Sequence, residues 1–253
     1  MTVSHLPALP FSRVVLWRHG RTEWNAAGRF QGQLDPPLDE EGRSQAARTA
    51  PHLVTAGLSA DDTVVVSSDL GRAAETAAPL VALLGVPLLF DSRLREHGLG
   101  CWEGLTREEV AERYPDQYTD WLAGRPVRGR GGEEAEEVAE RALAALLDLP
   151  SAEVAVVVSH GGTCGRLLER LLEQGAEHRR LFWPLGNCSW SELIHQGTHW
   201  RLMRHNNSVI HLPDRRLAGV AGAVRPGAGF TPDAGASPEE GAPASLGDAD
   251  VAL

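Results

Sequence analysis

The chain has 253 residues, 42% of them apolar, and a formal net charge of −10. That balance argues against nonspecific nucleic-acid binding and against adhesion to acidic membranes, both of which want a cationic face. No apolar run is long enough to span a bilayer. All 24 positions counted as Lys or Arg are arginine, so any anion site must be built from guanidinium forks and imidazoles. Cys101, Cys164 and Cys188 lack metal-type spacing and fit a reduced compartment. Met1–Pro10 has no basic start and no apolar stretch of signal-peptide length, so a cytoplasmic protein is expected.

Positions 12–18 read as a buried strand that ends on Arg18-His19-Gly20. A Gly/Pro/Gln/Asp loop spans 26–38. Asp39 suits the cap of a helix from Glu40 toward Ala56, with Pro51 expected to kink or interrupt it. Thr63–Ser67 is a β-branched strand, followed by a helix capped by Ser68 or Asp69 and running to about Leu84. Val86–Phe90 is a third strand.

Between about 91 and 150 no strand is evident, and a helical insertion over one sheet edge is expected. Thr106 and Glu109 form a capping-box pattern, and Glu133–Leu149 reads as a second helix with a solvated acidic face. Val154–Ser159 is a buried parallel-type strand, and Gly161–Gln174 is the helix after it. Ser189–Ile194 and Trp200–His205 alternate around Gln196-Gly197, a hairpin signal. From Asp214 the composition turns to Ala, Gly, Pro, Asp and Glu, which predicts a folded domain over 1–213 and a disordered tail over 214–253. Alternating strands and helices predict a three-layer α/β/α sandwich around a mostly parallel sheet.

Three predicted strand ends carry chemistry. They are Arg18-His19, then Ser67-Ser68-Asp69-Leu70-Gly71-Arg72, then Ser159-His160-Gly161-Gly162. In a parallel sheet those ends share one rim, where helix N-termini attract anions. An arginine beside a histidine holds the imidazole neutral, and neutral imidazole is a nucleophile. Arg93-Leu94-Arg95-Glu96 follows the third strand, where Glu96 could equally pair with its arginine neighbours on the surface.

Together these runs resemble the histidine phosphatase superfamily, the phosphoglycerate-mutase-like fold. The matched motifs are Arg18-His19-Gly20-x-Thr22, Asn25, Ser67-Ser68-Asp69-x-x-Arg72-Ala73-x-x-Thr76, Leu94-x-Glu96, Gly100-x-Trp102-Glu103-Gly104 and His160-Gly161-Gly162. The resemblance covers 12 to about 210. It implies metal-free phosphoryl transfer in two steps through a phosphohistidine on His19, with no cofactor. Arg18, Arg72 and His160 would clamp the phosphoryl oxygens. Asn25, Gln31, Gly32 and Gly161 would complete the phosphate cradle, and Glu96 would protonate the leaving oxygen and then activate water.

The expected partner is a small phosphorylated metabolite. The short, nearly uncharged segment Glu96–Thr106 looks like the phosphatase branch. Members of the mutase branch, which must hold a second phosphate, carry a longer insertion there, rich in basic residues. Arg29-Phe30-Gln31-Gly32-Gln33-Leu34-Asp35 and Gly186-Asn187-Cys188-Ser189-Trp190 resemble the actinobacterial glucosyl-3-phosphoglycerate phosphatases more narrowly. A phosphoglycerate mutase, a broad-specificity phosphatase and an α-ribazole-type phosphatase are the alternatives. A catalytically silent phospho-ligand binder is the alternative of another class, although neither nucleophile, clamp nor acid is missing. Relatives are often dimers, and the Asn187–His205 hairpin offers an edge for one. Trp102 and Cys164 read as packing residues, and His195, His199, His205 and His211 lack the spacing of a usual metal site.

Overall fold

The computed structural model describes residues 6–175 and 181–209. The tail expected from Asp214, and His211, lie outside them. A six-stranded sheet runs in the order β3-β2-β4-β1-β5-β6. Its strands are β1 (Arg13–Arg18), β2 (Thr63–Ser67), β3 (Leu88–Phe90), β4 (Val154–Ser159), β5 (Trp190–Gln196) and β6 (His199–Asn207). β3, β2, β4 and β1 are mutually parallel, and β5 and β6 close one edge as an antiparallel hairpin. Gly197, at a left-handed φ of 67°, makes that hairpin's turn.

Central β4, Val-Ala-Val-Val-Val-Ser, is buried at every position, as a strand covered on both faces must be. One face packs on α2 (Glu40–Thr55) and α3 (Gly71–Leu84) through Val15, Trp17, Val156, Ala50, Leu53, Ala77 and Leu80. The other packs on α6 (Ala135–Leu147) and α7 (Gly161–Leu171) through Leu16, Val157, Leu143, Leu146, Cys164 and Leu167. These are the three layers.

Several expectations need correction. α2 runs unbroken through Pro51. Pro51 and Ala47, whose carbonyl loses its partner, both lie on the exposed face, where water can serve that oxygen. α3 is entered from Leu70 without a side-chain cap, because Asp69 pairs with Arg95 and the Ser68 hydroxyl bonds His160. The region 91–150 is not one insertion over an edge. Its α6 belongs to the sandwich layer beside α7. Only α4 (Arg107–Arg113) and α5 (Pro115–Leu122) build a separate small core, with Phe30, Leu99, Trp102, Val110 and Trp121. The sequence reading missed α5 and the one-turn α1 (Glu23–Ala26), which Thr22 and Asn25 cap reciprocally.

Candidate active site

The ends of β1, β4 and β2 lie side by side. Arg18 is in register with Ser159, and Ser67 with Val158. Each strand therefore delivers its next residue, His19, His160 or Ser68, to the same rim. The chain can turn sharply there because two glycines meet. A Cβ on Gly42, in the first turn of α2, would lie 2.0 Å from the Arg21 carbonyl oxygen, and one on Gly20 would lie 2.5 Å from that of Gly42.

His19 and His160 are completely buried, with ring centroids 5.2 Å apart. Nδ1 of His19 is 2.7 Å from the Gly20 carbonyl oxygen and must carry the proton, since a carbonyl only accepts. Nε2 therefore holds the lone pair, and among the described residues it has no hydrogen-bond partner. Burial first, then Arg72 and Arg18, push the His19 pKa well below the usual imidazole value. Burial and Arg72 act likewise on His160, helped by His19 and Arg18.

Backbone carbonyls hold both arginines. Arg18 donates to the Leu185 carbonyl (2.7 Å). Arg72, at the start of α3, donates to the carbonyls of Leu34 (2.6 Å) and Gly32 (2.8 Å). Gly32 thus holds the arginine. Thr76, one turn on, accepts from the Gly20 N–H (2.9 Å) and ties α3 to the turn after His19.

The amide side chains form a relay. Asn25 Oδ1 accepts from Thr22 N (3.1 Å), Thr22 Oγ1 (3.1 Å) and Asn187 Nδ2 (3.1 Å). That fixes its orientation and leaves the buried Nδ2 without a partner among the described residues. Thr22 Oγ1 also lies 3.0 Å from Gln31 Oε1. Asn187 and Thr22 were not assigned site roles from sequence. Asn187 sits beside Cys188, which has a left-handed φ of 55°, a geometry with no local sequence signal.

Glu96 is turned inward and 1% exposed; the surface pairing with its neighbours does not form. Arg93 pairs with Asp91 and Asp148, and Arg95 with Asp69. The Glu96 carboxylate accepts from the N–H groups of His97 (2.7 Å), Gly162 (3.1 Å) and Thr163 (2.9 Å). It thereby caps the helix whose N-cap is His160 and whose first residue is Gly161. His19, His160, Arg18, Arg72, Asn25, Gln31, Gly32, Gly161 and Glu96 are all linked into this rim.

Trp102 is fully buried and donates to Gln117 Oε1, as a packing residue. Burial, then Glu96, raises the Cys164 thiol to about 12, so it is inert. His195, His199 and His205 have separate partners in Trp200, Glu173 and Ser191. No helix of the described residues is long and apolar enough to cross a membrane.

The chain is 36% identical over 191 residues to the glucosyl-3-phosphoglycerate phosphatase of Mycolicibacterium vanbaalenii, covering 72% of this chain and 83% of that one. It is 37% identical over 194 residues to a probable phosphoglycerate mutase of Salmonella paratyphi B, covering 74% and 87%. The structure of a mycobacterial glucosyl-3-phosphoglycerate phosphatase complexed with VO3 matches with a TM-score of 0.70 at 36% identity, over 78% of this chain and 100% of that one. A putative α-ribazole-5'-P phosphatase from Escherichia coli matches at 0.67 and 26%, over 78% and 97%. The profile of the histidine phosphatase superfamily (branch 1) spans residues 14–208, from the strand that presents His19 to the last strand of the sheet, and this chain belongs to that superfamily.

Proposed function

We propose that the protein hydrolyses phosphate monoesters through a phosphohistidine on His19. The observation that carries this reading is the bare Nε2 of His19, buried beside His160 with its tautomer fixed by Gly20. A neutral imidazole with its lone pair directed into a rim shared with two arginines is a nucleophile for phosphorus.

In the first step Nε2 attacks phosphorus and the ester P–O bond breaks. Arg18, Arg72 and the Asn25 amide bind the equatorial oxygens as charge spreads over them. His160 donates as a neutral imidazole. When its Nε2 accepts from the Ser68 hydroxyl (2.9 Å), which itself accepts from the Leu70 N–H (3.3 Å), its proton is on Nδ1, the ring nitrogen with no hydrogen-bond partner among the described residues. Glu96 must enter this step protonated, on an oxygen lone pair that the N–H groups of His97, Gly162 and Thr163 leave open, and it gives that proton to the departing oxygen. In the second step it takes a proton from water, which attacks phosphorus and frees His19.

A small phosphorylated metabolite is the substrate class, and glucosyl-3-phosphoglycerate is the first candidate, from the activity named for two of the relatives. The mutase reading draws on the Salmonella relative. Against it, Leu99 and Trp102 turn the segment after Glu96 into the small core, and His97 is that segment's only basic side chain up to Thr106.

The test is phosphate release from glucosyl-3-phosphoglycerate, mannosyl-3-phosphoglycerate, 3-phosphoglycerate, α-ribazole phosphate and an aryl phosphate, with and without a chelator. Marked preference for the first, unchanged by chelation, supports the full reading. Equal slow rates leave a general phosphatase. Phosphate exchange between phosphoglycerates without release would return the mutase. Activity lost to the chelator and restored by zinc or magnesium would count against a metal-free mechanism.

A further inference from the structure

Glu96 is gripped at both ends. The start of α7 holds its carboxylate. Arg141 of α6 holds its backbone, together with Gln33 and with Thr163 Oγ1, which donates to the Arg95 carbonyl (2.7 Å). Arg141 donates from Nη1 to the carbonyl oxygens of Arg93 (2.5 Å) and Arg95 (2.8 Å), and from Nη2 to that of Glu96 (3.0 Å). The same guanidinium forks onto Glu133, Nε to Oε1 at 2.7 Å and Nη2 to Oε2 at 2.8 Å. Glu133 Oε2 also accepts from the Gly98 N–H (2.7 Å) and Gln33 Nε2 (3.2 Å), and Gln33 Nε2 lies 3.3 Å from the Glu96 carbonyl. Glu133 is thus not part of a solvated acidic face. It anchors the arginine that holds the Glu96 loop.

The geometry has a mechanistic consequence. Residues 95–99 belong to no helix or strand, so their carbonyls need donors from elsewhere. A planar, permanently charged fork reaching the carbonyls of Arg93, Arg95 and Glu96 is well suited to hold such a loop still. Proton transfer to a leaving oxygen demands placement of the acid well within an ångström.

We propose that Arg141, anchored by Glu133, is the positioning residue for the proton donor. It fixes the backbone from which Glu96 delivers a proton to the leaving oxygen as the P–O bond breaks and the His19 Nε2–P bond forms. This rests on reading Glu96 as the acid.

The test separates the two ideas through the leaving group. An aryl oxygen departs as a stable anion, whereas an alkyl oxygen needs the proton. kcat/KM, which covers the steps through phosphoryl transfer, is measured for p-nitrophenyl phosphate and for β-glycerol phosphate. Arg141→Gln and Glu133→Gln are expected to lose about 10- to 100-fold on the alkyl ester and less than about threefold on the aryl ester. Parallel loss on both esters, or none on either, overturns the proposal. Glu96→Gln is the control. If it shows selective loss while Arg141→Gln does not, only the positioning role falls. If Glu96→Gln itself lacks selectivity, the acid assignment falls and takes the positioning role with it. Circular dichroism checks folding, and should Arg141→Gln not fold, Glu133→Gln decides.

Discussion

The rings of His19 and His160 stand 5.2 Å apart in a fully buried site, and burial and Arg72 hold both below the usual imidazole pKa. His97, at the back of the same region, is pushed down to about 4 by burial and by Arg130. Three buried histidines therefore fold neutral. As pH falls below about 6.5, the unfolded chain takes up protons that the native state refuses, so stability drops. Each histidine contributes up to about 1.4 kcal/mol per pH unit, and that of His97 levels off near its native value. Carboxylates with lowered pKa values, such as Asp69 and Asp91, add their loss only at lower pH. Urea midpoints are expected to fall clearly between pH 7 and pH 5 at constant m. A flat profile would refute neutral burial. Nitrogen-15 spectra of the His19 ring would show the Nδ1–H tautomer through the same range.

His19→Ala is expected to lower turnover roughly 10³-fold or more while the fold survives. The side chain bonds only the carbonyl of its own neighbour, so no hydrogen bond between elements is lost. The bonds that tie this residue to Ser159 and Cys188 come from its backbone. Residual turnover near the wild-type rate, in a variant of unchanged circular dichroism, would remove the covalent intermediate from consideration.

Glu96→Ala should behave differently, because Glu96 is also a cap. Its loss strips acceptors from the buried N–H groups of Gly162 and Thr163 at the start of α7. Capping and unsatisfied-donor costs put the destabilisation at about 1–3 kcal/mol, on top of lost activity. Chemical denaturation of the Glu96 and His19 variants side by side checks this, and equal stabilities would contradict it.

What the sequence disclosed and what it hid divide on a physical line. Thr63–Ser67 and Val154–Ser159 were legible to the residue, because β-branched runs covered on both faces have few other outlets. His19, His160 and Arg72 were legible because strand ends and helix starts are positions that chain order fixes. α5 has no side-chain cap to announce it, and it starts on Pro115, whose missing N–H costs nothing at the first helical position. α1 was missed because its capping box closes with Asn25 where Glu or Gln is usual. The Arg141 network left no trace in the sequence, since its acceptors in the Glu96 loop are backbone carbonyls, which every residue carries. Glu133 was misread because its acidic neighbours in sequence say nothing of partners brought to it by the fold. Its inward partners lie 35 and 100 residues away at Gly98 and Gln33.

Two glycines permit a final paired prediction. Gly42→Ala places a Cβ 2.0 Å from the Arg21 carbonyl oxygen, which itself accepts from the Asp39 N–H (3.0 Å). Neither backbone segment is a flexible tip, so α2 must shift against the turn that follows His19. The expected cost is about 1–3 kcal/mol. A clear loss of kcat/KM should accompany it, because the moving segment carries His19, the proposed nucleophile. Gly165, in α7, has nothing within 4 Å of a built Cβ. Gly165→Ala relieves backbone entropy in a helix and should stabilise by up to about 1 kcal/mol with activity unchanged. Thermal melts and turnover of the two variants check both signs at once. A Gly42→Ala protein as stable and active as the parent would show that the approach of α2 to the turn after His19 is looser than these contacts require.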